Sequence, residues 1–305
     1  MSLSVRPTPF RVVASTAAAL AAAALAGCAP ADSGSSSATT SGSAGASASA
    51  SASASCTKDS LKTRTAGKLT VATDKPVYEP WFKDDKPENG QGFESAVAYA
   101  VAKRLGYAQG DVTWARVAFN AAIQPGPKQF DFDINEVSIT DERKNAVDFS
   151  SGYYDVAQAI ITTKGSKIAN AKSIKDLQDA KIGAQVGTTS LDTIKNVIKP
   201  SSDPAVFNTN DDAAKALSNG QIDGLVTDLP TAFFITGSGE VKDSSIIGQF
   251  AGQGGTPEQF GLVLDKGSAL TSCVTQAVDA LRQDGTLKKL EQQWLAQSAG
   301  APVLQ

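Results

Sequence analysis

From Ser33 to Ser55 the chain contains only serine, alanine, glycine and threonine. Such a tract cannot bury enough apolar surface to offset the entropy of ordering it. Packed structure is therefore expected to begin after it. The tract itself reads as a flexible tether with an end-to-end distance of roughly 30 Å. The remainder is ordinary folding material. Of 305 residues, 41% are hydrophobic and 19% charged, which suits globular cores, and at about 150 residues per domain the length suggests two. With 28 basic and 31 acidic side chains the formal charge is -3, so the basic excess of a nucleic-acid binder is missing. The chain has no histidine. That removes Ser-His-Asp and Cys-His nucleophile chemistry and every zinc site built on imidazole. Carboxylates, lysine, arginine, hydroxyls and backbone amides remain, and they suit recognising a ligand better than attacking one. No catalytic residue, cofactor or metal is expected.

Upstream of the tether, Arg6 and Arg11 precede an apolar run from Val12 to Ala26. At roughly 15 residues it is too short to span a membrane and fits the core of a secretory signal. It ends in Leu25-Ala26-Gly27-Cys28, which resembles the bacterial lipoprotein box. The resemblance implies cleavage before Cys28 and a diacylglyceryl thioether on its sulfur. The alternative is an ordinary signal cut near Ala26. Residues 1–27 are thus expected to be signal peptide and 28–56 the lipidated cysteine and tether. The mature protein would then sit at the extracytoplasmic face of a bacterial cell membrane, attached by its lipid. Beyond Cys28 only Cys56 and Cys273 remain. In an exported protein one remaining pair suggests a disulfide. Closing so long a loop is worth on the order of 5 kcal/mol at most. The alternative is two unrelated buried thiols.

The body alternates strand and helix patterns. Strands are expected at 68–73, 112–117, 130–134, 156–163, 181–186, 222–227 and 260–264. Helices are expected at 92–105, 188–198, 229–236, 269–283 and 286–297, with a short one capped by Ser173 and another capped by Asn210 and closed by Gly220. The helix at 92–105 carries Phe93, Val97, Val101 and Leu105 on one stripe. This alternation argues for α/β sheets covered by helices.

Three segments then line up. The first is Gly67-Lys68-Leu69-Thr70-Val71-Ala72-Thr73-Asp74 with Tyr78-Glu79-Pro80-Trp81-Phe82 and Gly92-Phe93-Glu94. The second is Phe130-Asp131-Phe132-Asp133-Ile134 with Ser138-Ile139-Thr140-Asp141-Glu142-Arg143 and Val147-Asp148-Phe149-Ser150. The third is Lys181-Ile182-Gly183-Ala184-Gln185-Val186-Gly187-Thr188-Thr189 with Gln221-Ile222-Asp223-Gly224 and Thr227-Asp228. Their order and spacing resemble the family-3 solute receptors, the polar amino-acid-binding proteins of ABC importers. The resemblance spans residues 66 to 297. It implies a two-lobed, type II periplasmic-binding-protein-like α/β fold with ligand held in a cleft. Lobe 1 would be residues 57–157 plus 258–305 and lobe 2 residues 158–257, which puts Cys56 and Cys273 in the same lobe.

An amino acid needs a partner for its carboxylate, its ammonium and its side chain, because buried unpaired charge is costly. Arg143 offers a planar fork for the carboxylate. Thr188 and Thr189 stand at a predicted helix start, where N–H groups favour anions. By resemblance these groups share the ligand carboxylate, while Asp228 and Ser138 take the ammonium. The bland alternatives are a solvated Arg143, and an Asp228 that merely caps the helix at Leu229. Asp74 matches a position that often faces the ligand side chain, and Tyr78, Trp81 and Phe119 are candidate walls, with core packing as the alternative for each aromatic. Glu136 stands where many relatives have a small residue. If it faces the cleft, the pocket is acidic and prefers a cationic side chain. Apolar residues change from even positions (Phe130, Phe132, Ile134) to odd ones (Val137, Ile139), which predicts a kink or bulge near Asn135.

Asp131, Asp133, Asn135 and Glu142 imitate calcium-loop spacing, but Glu136 occupies the position that needs glycine. The leading expectation is a monomeric receptor lipoprotein that captures a polar amino acid, a cationic one if Glu136 faces the cleft, and delivers it to an ABC permease. The alternatives are an amino-acid sensor, or a dehydratase-like enzyme using an acid such as Glu136.

Overall fold

The computed structural model describes residues 55–252, 256–296 and 300–305. The signal peptide, Cys28 and nearly all of the tether lie outside the described residues. Strands β1 (Leu69–Thr73), β2 (Val112–Arg116) and β3 (Phe132–Asp133) follow in chain order, with helices α1 (Phe93–Arg104) and α2 (Phe119–Ile123) between them. Then come α3 (Asp141–Lys144), β4 (Asp148–Val156), β5 (Gln158–Thr163), β6 (Ile182–Gln185), α4 (Thr189–Thr193), β7 (Ala205–Phe207) and α5 (Asn210–Ser218). The rest is β8 (Gly224–Asp228), α6 (Leu229–Ser238), β9 (Ser244–Phe250), β10 (Glu258–Leu264), α7 (Thr271–Gln283), α8 (Thr286–Trp294) and β11 (Val303–Leu304).

The strands form two sheets of mixed direction. The first runs β2-β1-β3-β10-β4 and the second β11-β9-β5-β8-β6-β7. In the first, β1 pairs in parallel with β2 and β3, and β10 runs antiparallel to β3 and β4. Only Ala157 separates β4 from β5, so one nearly continuous strand passes from the first sheet to the second. The α1 stripe is realised as read: Phe93, Val97 and Val101 are fully buried and pack with Leu69, Val71 and Phe132. The second sheet is covered on both faces, by Leu217, Leu225 and Ile235 on one side and Ile160, Ile182 and Ile194 on the other. Among the described residues no helix is long and apolar enough to cross a membrane.

Several boundaries differ from the sequence reading. The strand expected at 130–134 is only Phe132–Asp133. Glu136 then adopts a left-handed backbone (φ 53°), which is the kink that the change of apolar phase predicts. Thr209, not Asn210, caps α5, its hydroxyl accepting from the Asp212 N–H. The helix read as 188–198 is α-helical only to Thr193, and Ile194–Ile198 continues as a π-helical turn. The last helix stops at Trp294 rather than at 297. Residues 258–305 do not all join the first layer. Val303–Leu304 adds to the edge of the second sheet beside β9, because Leu304 finds a bare strip at Gly248 and is buried there. Cys56 and Cys273 are joined by a disulfide.

Candidate functional site

Both sheets contribute to one cleft. From the first layer it is lined by Asp74, Tyr78, Phe119, Glu136 and Arg143, and from the second by Thr188, Thr189 and Asp228. The expected residues brought together are therefore Asp74, Tyr78, Glu136, Arg143, Thr188, Thr189 and Asp228. Two are not among the lining. Trp81 is fully buried and packs edge-on against Phe93, Tyr154 and Phe260, so the reading of Trp81 as a cleft wall is corrected to a core residue. Its neighbours in the fold are aromatic, and burial there is worth more than exposure in a wet cleft. Ser138 lies just behind the lining and is buried. Its hydroxyl donates to Glu258 Oε2 at 3.0 Å and sits 3.4 Å from Thr189 Oγ1.

Arg143 projects from α3, which Thr140 caps. Only 9% of it is exposed, so it is not a solvated surface residue. Its Nη1 donates to the Ser138 carbonyl at 2.6 Å and its Nη2 to the Gly187 carbonyl at 2.9 Å, across the cleft. The Phe119 ring lies 5.5 Å from its Cζ, a cation–π contact that holds the fork in place.

Asp228 ends β8 and precedes α6, yet its side chain makes no capping bond to that helix. Oδ1 instead accepts from Gln158 Nε2 at 2.7 Å. Burial, and then the nearby Glu258, push this carboxyl up to about 8. Thr188 caps α4, accepting from the Leu191 N–H and donating to the Gln185 carbonyl. Its hydroxyl is thus committed to the backbone on both sides of the turn.

Glu136 faces the cleft because of its left-handed backbone. Its own N–H donates to Glu94 Oε1 at 2.7 Å, and its Oε2 accepts from Thr231 Oγ1 at 3.0 Å. Burial and the neighbouring Glu94 and Asp228 carboxyls raise its affinity for a proton well above that of an ordinary glutamate. Glu94 is fully buried, takes a hydrogen bond from the Tyr153 hydroxyl, and is pushed up to about 7 by burial. Asp74 accepts from the Lys75 and Phe119 N–H groups, and burial raises its carboxyl too. Acidic groups thus crowd the cleft opposite one guanidinium. Among the described residues no group of three or more acidic or cysteine side chains is placed to hold a metal ion.

Sequence reasoning missed Gln158, Glu258, Glu94 and Thr231. Gln158 follows the crossing residue Ala157 and bonds Ser190 as well as Asp228. No local pattern marks it; its role comes from the crossing. Glu94 belongs to the Gly92-Phe93-Glu94 segment, and its place in the first turn of α1 is the available signal.

A sequence model of the bacterial extracellular solute-binding proteins, family 3, matches residues 69–297. The glutamine-binding protein GlnH of an ABC transporter in Bacillus subtilis is 29% identical over 215 residues, covering 68% of this chain and 75% of that protein. A solved structure of an ancestral arginine-binding protein bound to arginine is 32% identical, with a TM-score of 0.62 over 75% of this chain and 98% of that one. The ancestral amino acid-binding protein AncCDT-1, a precursor of cyclohexadienyl dehydratase, is also 32% identical, with a TM-score of 0.59 over 75% of this chain and 95% of that one.

Proposed function

The chain belongs to the bacterial extracellular solute-binding proteins of family 3, and from that premise we propose that it captures an amino acid with a cationic side chain and delivers it to the permease of an ABC importer. It works as a monomer, tethered to the extracytoplasmic face of the membrane by a lipid on Cys28. Its lobes are residues 57–157 plus 258–296, and residues 158–257 plus the C-terminal strand.

The observation that carries the reading is the charge of the cleft. Asp74, Glu136 and Asp228 line it with Arg143 as the one cation. An α-amino acid brings one carboxylate and one ammonium, which Arg143 and Asp228 balance. Asp74 and Glu136 are then left over, and a second positive charge on the ligand side chain offsets one of the two. A neutral side chain gives neither of them a charge partner. Arg143 and the N–H groups after Gly187 take the carboxylate. Asp228, assisted by Ser138, takes the ammonium. Asp74, Tyr78 and Glu136 surround the side chain. Closure follows because ligand touches both lobes only when they approach.

Calorimetric titration of the solute-stripped protein against the common amino acids tests this. L-Arginine or L-lysine should bind far more tightly than L-glutamine. Arg143→Ala and Asp228→Ala should each cost at least about 2 kcal/mol, as buried charges left unpaired do. Tighter binding of a neutral or acidic amino acid would overturn the cationic assignment. Near-normal affinity in both variants would overturn the cleft assignment.

The sequence relation to AncCDT-1 keeps an enzymatic reading in view, with Glu136 as a buried general acid. Turnover of a bound solute by the wild-type protein, lost in Glu136→Gln, is the result that would favour it.

A further inference from the structure

Thr231 joins the two layers at a single point. Its Oγ1 accepts from Trp81 Nε1 at 2.8 Å and donates to Glu136 Oε2 at 3.0 Å. The directions follow from chemistry. An indole N–H can only donate, so the hydroxyl meets Trp81 with a lone pair, and its single proton is left for Glu136. None of the three is free to drift. Trp81 is clamped by Phe93, Tyr154 and Phe260. Thr231 is buried in the first turn of α6, three residues after Asp228. The Glu136 backbone is tied to Glu94. Trp81 and Glu136 belong to the first layer and Thr231 to the second.

We infer that Thr231 is a positioning residue that sets specificity: held by Trp81, it fixes one oxygen of Glu136 as the cleft closes and leaves the other for a cationic solute side chain. Cleft closure and presentation of negative charge are then one event. When α6 moves away with the second sheet, the relay breaks and Glu136 regains its rotamer freedom. A cation in the cleft favours the ionised carboxylate, and an ionised acceptor makes the stronger bond to the Thr231 hydroxyl. A neutral solute gives no such reinforcement. The hydroxyl therefore discriminates between solutes it need not touch. This inference rests on the cationic-solute reading above.

The test uses the full chain stripped of carried-over solute, with Thr231→Val, Thr231→Ser, Trp81→Phe and the Trp81→Phe/Thr231→Val pair. L-Arginine and L-glutamine are the titrants, and small-angle scattering follows the solute-free forms. Thr231→Val should weaken L-arginine about tenfold, as loss of a hydrogen bond to a charged group does, and L-glutamine less than about threefold. Thr231→Ser should restore L-arginine binding. Adding Trp81→Phe to Thr231→Val should cost little more, because the relay is already broken. Solute-free Thr231→Val should be more expanded than Thr231→Ser. Equal losses for both amino acids, or an unchanged L-arginine affinity in Thr231→Val, would overturn the inference. If wild type binds neither amino acid, the cationic reading fails. The relay is then judged by scattering alone and is refuted if Thr231→Val and Thr231→Ser are equally compact.

Discussion

Gln158 Nε2 lies 2.7 Å from Asp228 Oδ1, so the residue just past the sheet crossing, and not the helix after it, holds the aspartate. Gln158 is itself fixed by the Ser190 hydroxyl, which donates to its Oε1 at 2.6 Å. Replacing Gln158 with Leu leaves Asp228 without this donor and still beside Glu258. L-Arginine affinity should fall about tenfold. Gln158→Glu should fall further, since it sets a third carboxylate between two others. Calorimetric titration decides it, and wild-type affinity in both variants would remove Gln158 from the site.

Stability should depend on pH in a direction set by the buried acids. Burial holds Asp228 at about 8 and Glu94 at about 7, against roughly 4 for unfolded carboxylates. Between those values the folded protein keeps protons that the unfolded chain gives up. Stability from these groups is fully present below about 4 and is lost as pH rises through 7 to 8. The slope is of order 1.4 kcal/mol per pH unit for each proton held. The solute-free protein should therefore melt at a lower temperature at pH 8 than at pH 5, and Asp228→Asn should flatten the dependence. A cationic solute should release protons on binding, making the binding enthalpy vary with buffer. Melting temperatures that rise from pH 5 to pH 8 would contradict this.

The sequence made much of this molecule legible, but unevenly. The α1 stripe announced itself because a helix repeats every 3.6 residues and its buried face was apolar throughout. The kink at Glu136 was legible as a change of phase. By contrast, β9 is Ser244–Phe250, where two serines, Gly248 and Gln249 hide any alternation. Arg143 and Asp228 stood out through their motifs. Gln158 and Thr231 did not, since each acts on a residue 70 or 95 positions away, and such partners are set by tertiary packing alone. Trp81 was ambiguous for a related reason: an aromatic beside a motif residue looks the same in sequence whether it faces a cleft or a core, and only the fold places it in the core.

The disulfide closes a separation of 217 residues, from Cys56 at the edge of the tether to Cys273 in the first turns of α7. Cys273 is buried in the first-layer core, and Cys56 packs against it. The bond therefore ties the N-terminal segment to the layer that carries Arg143. By loop entropy its removal should cost roughly 3–5 kcal/mol. Urea denaturation of the oxidised protein against the Cys56→Ser/Cys273→Ser pair measures this. A difference under about 0.5 kcal/mol would mean the loop model fails here.

The C-terminal strand should behave as a strap on the second layer. Gln249 donates from its N–H to the Pro302 carbonyl at 2.8 Å and from Nε2 to the Ala301 carbonyl at 2.6 Å. The Ile174 N–H reaches the Gln305 carbonyl at 3.1 Å. Between these bonds Leu304 fills the space above Gly248, where an added Cβ would stand 2.4 Å from Leu304 Cγ. Leu304→Ala should cost about 2–3 kcal/mol from lost burial and the void left behind. Gly248→Ala should cost a similar amount by displacing the strap. Because both act through one contact, the double variant should be less destabilised than the sum of the two. Chemical denaturation of the four proteins settles the point. Simple additivity would mean that Leu304 and Gly248 do not depend on each other and that the strap is held by its backbone bonds alone.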